Sequence, residues 1–166
     1  MLGFVIKLIG YTEASENGVR AIVSPRMVPA TNPLCRIDDV FNGVLVEANM
    51  VGEVMFYGPG AGKLPTASAV VADIIDVIAN RDASPKALEW TAATACDVLP
   101  LEAYACTRVF ILNCTAAQIP AELCADKAVE LDGKCAVVTA QELTEKQTAE
   151  LAASMGDKLL SVYRVL

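Results

Sequence analysis

The run Tyr57-Gly58-Pro59-Gly60-Ala61-Gly62-Lys63-Leu64-Pro65-Thr66 holds the residue types that bring bare backbone close to an anion. Gly58, Gly60 and Gly62 allow sharp turning and close approach by another group. A helix should follow. Pro65 suits its first position, where a missing N–H costs nothing. Val70, Val71, Ile74, Ile75 and Ile78 recur at helical spacing, with Asp73, Asp76 and Asn80 on the other face. A glycine loop facing a helix N-terminus can take a phosphate or another anion. The alternative is a tight strand-to-helix turn without a ligand.

Little else in the chain offers chemistry. The 166 residues contain no histidine, which excludes any triad built on an imidazole base. Six cysteines stand at 35, 96, 106, 114, 124 and 135 with no CxxC pair, and they read as reduced, mostly buried small hydrophobes. Without close ligand pairs, no metal site is expected. The net charge of −7, with no basic cluster, argues against nucleic-acid and anionic-membrane partners. Apolar residues make up 54%, but no apolar run reaches membrane-spanning length. Met1 to Lys7 is too short for a signal peptide, so a cytoplasmic protein is expected.

The elements around the loop read as two hairpins and a helix. Phe4–Tyr11 is a strand, Glu16-Asn17-Gly18 a turn, and Val19–Val23 the return. Pro25, Pro29 and Pro33 make 24–34 an ordered loop. Asn42–Ala48 and Glu53–Tyr57 form a second hairpin around Met50-Val51-Gly52. Together they suggest a largely antiparallel sheet with Arg20 and Glu47 on its exposed face. A helix over 65–80 closes this half. The polar stretch 80–85 is the expected boundary, and a short helix within 86–98 holds Trp90, a packing residue.

The second half reads β-α-β-β-α-β, a ferredoxin-like order. Strand 107–113 leads to a short helix over 119–125. Strands 128–131 and 135–138 flank Asp132-Gly133, a hairpin signal. Thr144 and Gln147 form a capping box, Gly156 ends that helix, and 158–166 is the final strand. The fold class is thus α+β.

Five blocks carry a resemblance: Val23-Ser24-Pro25-Arg26-Met27-Val28-Pro29, Asn32-Pro33-Leu34, Val40-Phe41-Asn42-Gly43-Val44, Met55 to Gly62, and Pro65 to Val71. In order and spacing they resemble the C-terminal part of the catalytic region of homoserine dehydrogenase, over about a third of the chain. The resemblance implies an enzyme that interconverts homoserine and aspartate semialdehyde with NADP or NAD, on the route to threonine, methionine and isoleucine. It implies Gly62 as the first cofactor contact and Gly60 as the second, although Gly60 could equally serve only the turn. No strand-GxGxxG-helix fingerprint occurs, and no position matches the family's catalytic aspartate and lysine. The expectation is a C-terminal fragment, inactive alone, with no catalytic residue of its own.

The division implied is 1–83 for the catalytic part and 95–166 for a domain that resembles the ACT regulatory module. The match of that second part is topological. The stretch 113–120, where such modules carry a glycine, has none. The expected partners are a small-molecule substrate and a second copy of the chain, in a homodimer or larger homo-oligomer. The alternative function is a regulatory or oligomerisation module without catalysis.

Overall fold

The computed structural model describes residues 2–82, 92, 94 and 97–166. It forms two compact units, Met1–Cys35 with Ala93–Leu166, and Arg36–Ala92. The first is built on a six-stranded sheet. Its strands are β1 (Phe4–Ser15), β2 (Gly18–Pro29), β6 (Arg108–Leu112), β7 (Ala125–Leu131), β8 (Lys134–Thr139) and β10 (Leu159–Val165). A two-residue ladder joins β5 (Ala105–Cys106) to β9 (Leu143–Thr144). The helix α2 (Glu145–Met155) follows β9.

The sheet runs β1-β2-β10-β6-β8-β7. All neighbours are antiparallel except β2 and β10, which pair in parallel at Arg26–Arg164 and Met27–Val165. β6 is buried on both faces, which is why Arg108–Leu112 reads as a nearly continuous apolar run. Phe110 and Leu112 pack with Leu123, Cys135, Val137 and Met155. Val109 packs with Met27 and Val138. Met155 thus brings the foot of α2 into the core.

The second unit holds β3 (Phe41–Ala48), β4 (Gly52–Pro59) and α1 (Lys63–Ala79). β3 and β4 form a two-stranded antiparallel ladder, and Phe41 stacks on Tyr57 with ring centres 5.0 Å apart. The mixed α+β, mainly antiparallel architecture is the expected one.

Several details differ from the sequence reading, each for a physical reason. The two hairpins do not share a sheet: β1 and β2 join the C-terminal strands instead. Pro25 and Pro29 do not end β2, because that strand's outer side is partnered at Val19, Arg26 and Met27 and not at either proline, so an absent N–H there leaves no rung unmade. The helix expected over 119–125 is replaced by two single turns, Ala116–Gln118 and Ala121–Leu123. Pro120 stands between them, and Cys124 ends the second in the left-handed region at φ 43°. Pro65 is the third residue of α1, not the first. Trp90 and most of the helix expected within 86–98 lie outside the described residues.

The strongest local signals appear as read. Asp132 and Gly133 both have positive φ, 51° and 71°, as a two-residue hairpin of this type requires. Thr144 accepts from Gln147 N at 3.2 Å, and the Gln147 side chain accepts from Thr144 N at 2.9 Å. Gly156 ends α2 at φ 51°. Among the described cysteines Cys106, Cys114 and Cys135 are buried, Cys35 is half-buried and Cys124 is exposed, in keeping with a mostly buried set.

Candidate functional site

The glycine loop joins β4 to α1. Gly62 caps α1 at φ 118° and ψ 160°, a region that L side chains avoid. Its carbonyl accepts from Thr66 N at 3.2 Å and from Thr66 Oγ1 at 2.8 Å. Those two bonds hold the first turn. The cap has no side-chain acceptor, and the first turn has no acidic residue. The amides of the α1 N-terminus therefore carry no built-in anion, a state suited to an external phosphate.

Gly60 has a different constraint. Its amide donates to Val40 O at 3.2 Å, and a Cβ added there would run into the Asn42 side-chain amide, 2.9 Å from its Cγ. The bare backbone at 60 is thus already required by Asn42. We expect Gly60→Ala to cost about 1 kcal/mol, since the Asn42 side chain must turn away. The double variant with Asn42→Ala should recover most of that loss in a urea melt. Strict additivity of the two changes would sink this account.

A second constellation lies in the larger unit. A half-open hollow of about 520 Å³ is walled by Tyr11, Glu13, Arg20, Arg26, Tyr104 and Glu142, among others. β1 and β2 place Tyr11, Glu13, Arg20 and Arg26 on one side, since Glu13 pairs with Arg20 across the ladder and alternate residues share a face. Arg20 donates to Glu13 at 2.7 Å. Arg26 donates from Nη1 to the Tyr104 hydroxyl at 2.9 Å. Its guanidinium lies 4.5 Å from the Tyr11 ring centre and 5.4 Å from that of Tyr104. Arg20 is therefore not on an open polar face: it lies 4.9 Å from the Tyr104 ring centre. Burial pushes the thiol of Cys106, also in this wall, upward despite nearby arginines, which disfavours the thiolate.

Beside it, Glu145 accepts from Arg108 Nη2 and Arg164 Nε, both at 2.8 Å. Burial raises its carboxyl, but the two arginines outweigh that and hold it below the usual carboxylate range. Sequence reading passed over Tyr104, Arg108 and Glu145. Only the cross-strand register brings such distant residues together. The available signal was parity, since Arg20 and Arg26 fall on the same face of β2.

No group of three or more metal-ligating side chains occurs among the described residues. No helix there is long and apolar enough to cross a membrane.

Comparison with known proteins defines first a class and then a family. The fold of 99% of the chain matches a Thiobacillus denitrificans oxidoreductase with a TM-score of 0.76 and 28% identity, over 42% of that protein. That protein is a homoserine dehydrogenase, as is a Staphylococcus aureus structure matched at TM-score 0.71 and 27% identity, again over 42% of its length. Residues 1–75 match the homoserine dehydrogenase family model. The Neisseria gonorrhoeae homoserine dehydrogenase is 53% identical over 76 residues, 46% of this chain and 18% of the relative. The Pseudomonas aeruginosa enzyme is 34% identical over 128 residues, 74% of this chain and 29% of the relative. The family resemblance carried by the five blocks therefore holds. The chain spans less than a third of these two curated relatives and under half of the solved structures.

Proposed function

We propose that this chain is the C-terminal part of a homoserine dehydrogenase, in which α1 and its glycine loop return to a nucleotide-binding domain outside the present sequence. The observation that carries this reading is α1 itself. No residue of its 17 is buried, and Val70, Val71, Ile74, Ile75, Val77 and Ile78 are each at least 53% exposed. A helix so apolar needs a cover. The parent reaction oxidises the homoserine alcohol to the aldehyde, with a hydride passing to NAD(P)⁺ and a proton to a base. NAD(P) supplies the hydride chemistry. This chain's part is positioning, with Gly62 first and Gly60 second against the cofactor. The uncapped, acid-free start of α1 is compatible with a phosphate there.

The residues after 95 are read as an ACT-like regulatory half. The strand order β10-β6-β8-β7, which is that of a ferredoxin-like sheet, supports this reading. β6 and β10 are interior to the sheet. The free edges are β1 and β7, and we place the homo-oligomer contact there. The enzyme is assigned to the cytoplasm.

The test uses purified chain with NADPH and aspartate semialdehyde. No turnover is expected, because the chain has neither a fingerprint loop nor an acid–base pair. Co-expression with the nucleotide-binding part of the Neisseria gonorrhoeae relative should restore NADPH oxidation. It should also reduce binding of an apolar dye. Turnover by the chain alone would overturn the proposal. Failure of the co-expressed pair to form would favour a stand-alone regulatory module.

A further inference from the structure

We infer that the hollow beside β1 and β2 binds a small organic carboxylate, held by the side-on fork of Arg26. The inference is independent of the dehydrogenase reading. Arg26 is only 1% exposed, and its Nε and Nη2 have no hydrogen-bond partner among the described residues. A buried charged donor without an acceptor is costly, so such pairs mark either strain or a site. The rings of Tyr11 and Tyr104 stabilise the cation through their faces but offer Nε and Nη2 no oxygen. Those two nitrogens form one planar edge of the guanidinium. That edge matches the two oxygens of a carboxylate.

The surroundings define the ligand further. Arg20 adds a second guanidinium near the same Tyr104 ring, with its Nε also unpartnered. Glu13 and Glu142 in the wall disfavour a doubly charged phosphate and leave room for a single negative charge. A volume of about 520 Å³ suits a small molecule. Tyr104 directly follows the single turn Leu101–Ala103, and its hydroxyl holds Nη1, which leaves the Nε–Nη2 edge for the carboxylate.

The experiment follows arginine Nε–Hε resonances of the ¹⁵N-labelled full chain during titration with propionate and, separately, inorganic phosphate. The Arg26 signal should move and saturate with propionate, and not with phosphate. Arg26→Lys should weaken the response at least about tenfold, because an ammonium keeps the charge but lacks the fork. Glu142→Gln, at an exposed rim position, should tighten propionate binding about threefold by removing a like charge. If Arg26→Lys fails to fold, the wild-type and Glu142→Gln titrations still decide. The proposal is overturned if Arg26 does not respond, or if it drifts without saturation in parallel with the exposed Arg81. Equal binding of phosphate overturns it as well.

Discussion

Glu145→Ala is expected to destabilise the fold by about 3 kcal/mol at neutral pH, the low end of the range for breaking a buried ion pair. Glu145 sits at the first position of α2 and accepts from two arginines on different strands, Arg108 on β6 and Arg164 on β10. It therefore pins a helix start to two neighbouring strands. Removing it leaves Arg108, whose side chain is 2% exposed, with only the Leu143 carbonyl, at 3.1 Å from Nη2 and 3.3 Å from Nε. A buried cation left that way accounts for most of the loss. Arg164 is more exposed and partly recovers water. A negative side chain at a helix start adds a smaller favourable term that is also lost.

The same pair sets a pH dependence with a definite sign. The folded Glu145 carboxyl lies below its ordinary value, about 4.3 for an unfolded glutamate, so its stabilising effect is complete above that value. It is lost as pH falls through the lower, folded value. Urea melts of wild type and Glu145→Ala should differ most at pH 7 and converge in acid. Glu145→Gln keeps an acceptor oxygen without the charge and should fall between them. A gap that stays constant from pH 7 to strongly acid conditions would refute the ion-pair account.

Gly62→Ala is expected to cost about 2 kcal/mol, on a strain argument rather than a packing one. An added Cβ would meet only Pro65 Cδ, at an ordinary 3.6 Å. The backbone at φ 118° and ψ 160° is nonetheless closed to L residues. Its mirror image is ordinary extended backbone, so D-alanine at 62, introduced by semisynthesis, should restore stability. Melting followed by helix ellipticity should drop by about 4–8 °C for the L variant. It should return to the wild-type value for the D variant. Equal losses for both would mean that space, not φ, matters at 62. The comparison also separates the turn from the proposed cofactor role, since a D-methyl group would still crowd a nucleotide.

What could be read from the chain alone was whatever depends on neighbours in sequence. The Asp132-Gly133 hairpin, the Thr144–Gln147 capping box and the Gly156 stop are set within a few residues, and each occurs where its signal lies. The second hairpin, β3 with β4, is of the same kind. Gly60 and Gly62 were legible as a turn, but the reason for Gly60, the side chain of Asn42, comes from the neighbouring strand. β2 was cut short at Pro25 because proline is read as a breaker, although only the sheet decides whether its missing N–H faces a neighbour. The Arg26–Tyr104 and Arg108–Glu145 contacts span 78 and 37 positions, and no local pattern encodes such pairs. The five family blocks reached further than periodicity did, since they carry the family's three-dimensional constraints in one dimension.

The two-rung parallel seam between β2 and β10 has a consequence for how the protein is made. β1 and β2 form a local hairpin around a tight turn, which closes on the microsecond scale. Their sheet partner at Arg26 and Met27 is β10, which leaves the ribosome only after every other strand and both helices. Until then Met27 and Val28, buried in the finished fold, stand on a nascent hairpin whose outer edge is open. Closing a loop of that length adds little to the equilibrium cost, since the entropy grows only with the logarithm of length. It does add to the waiting time, because non-local pairing is slow. The seam is therefore a late step of synthesis, and the interval before it is when the young chain most needs a chaperone.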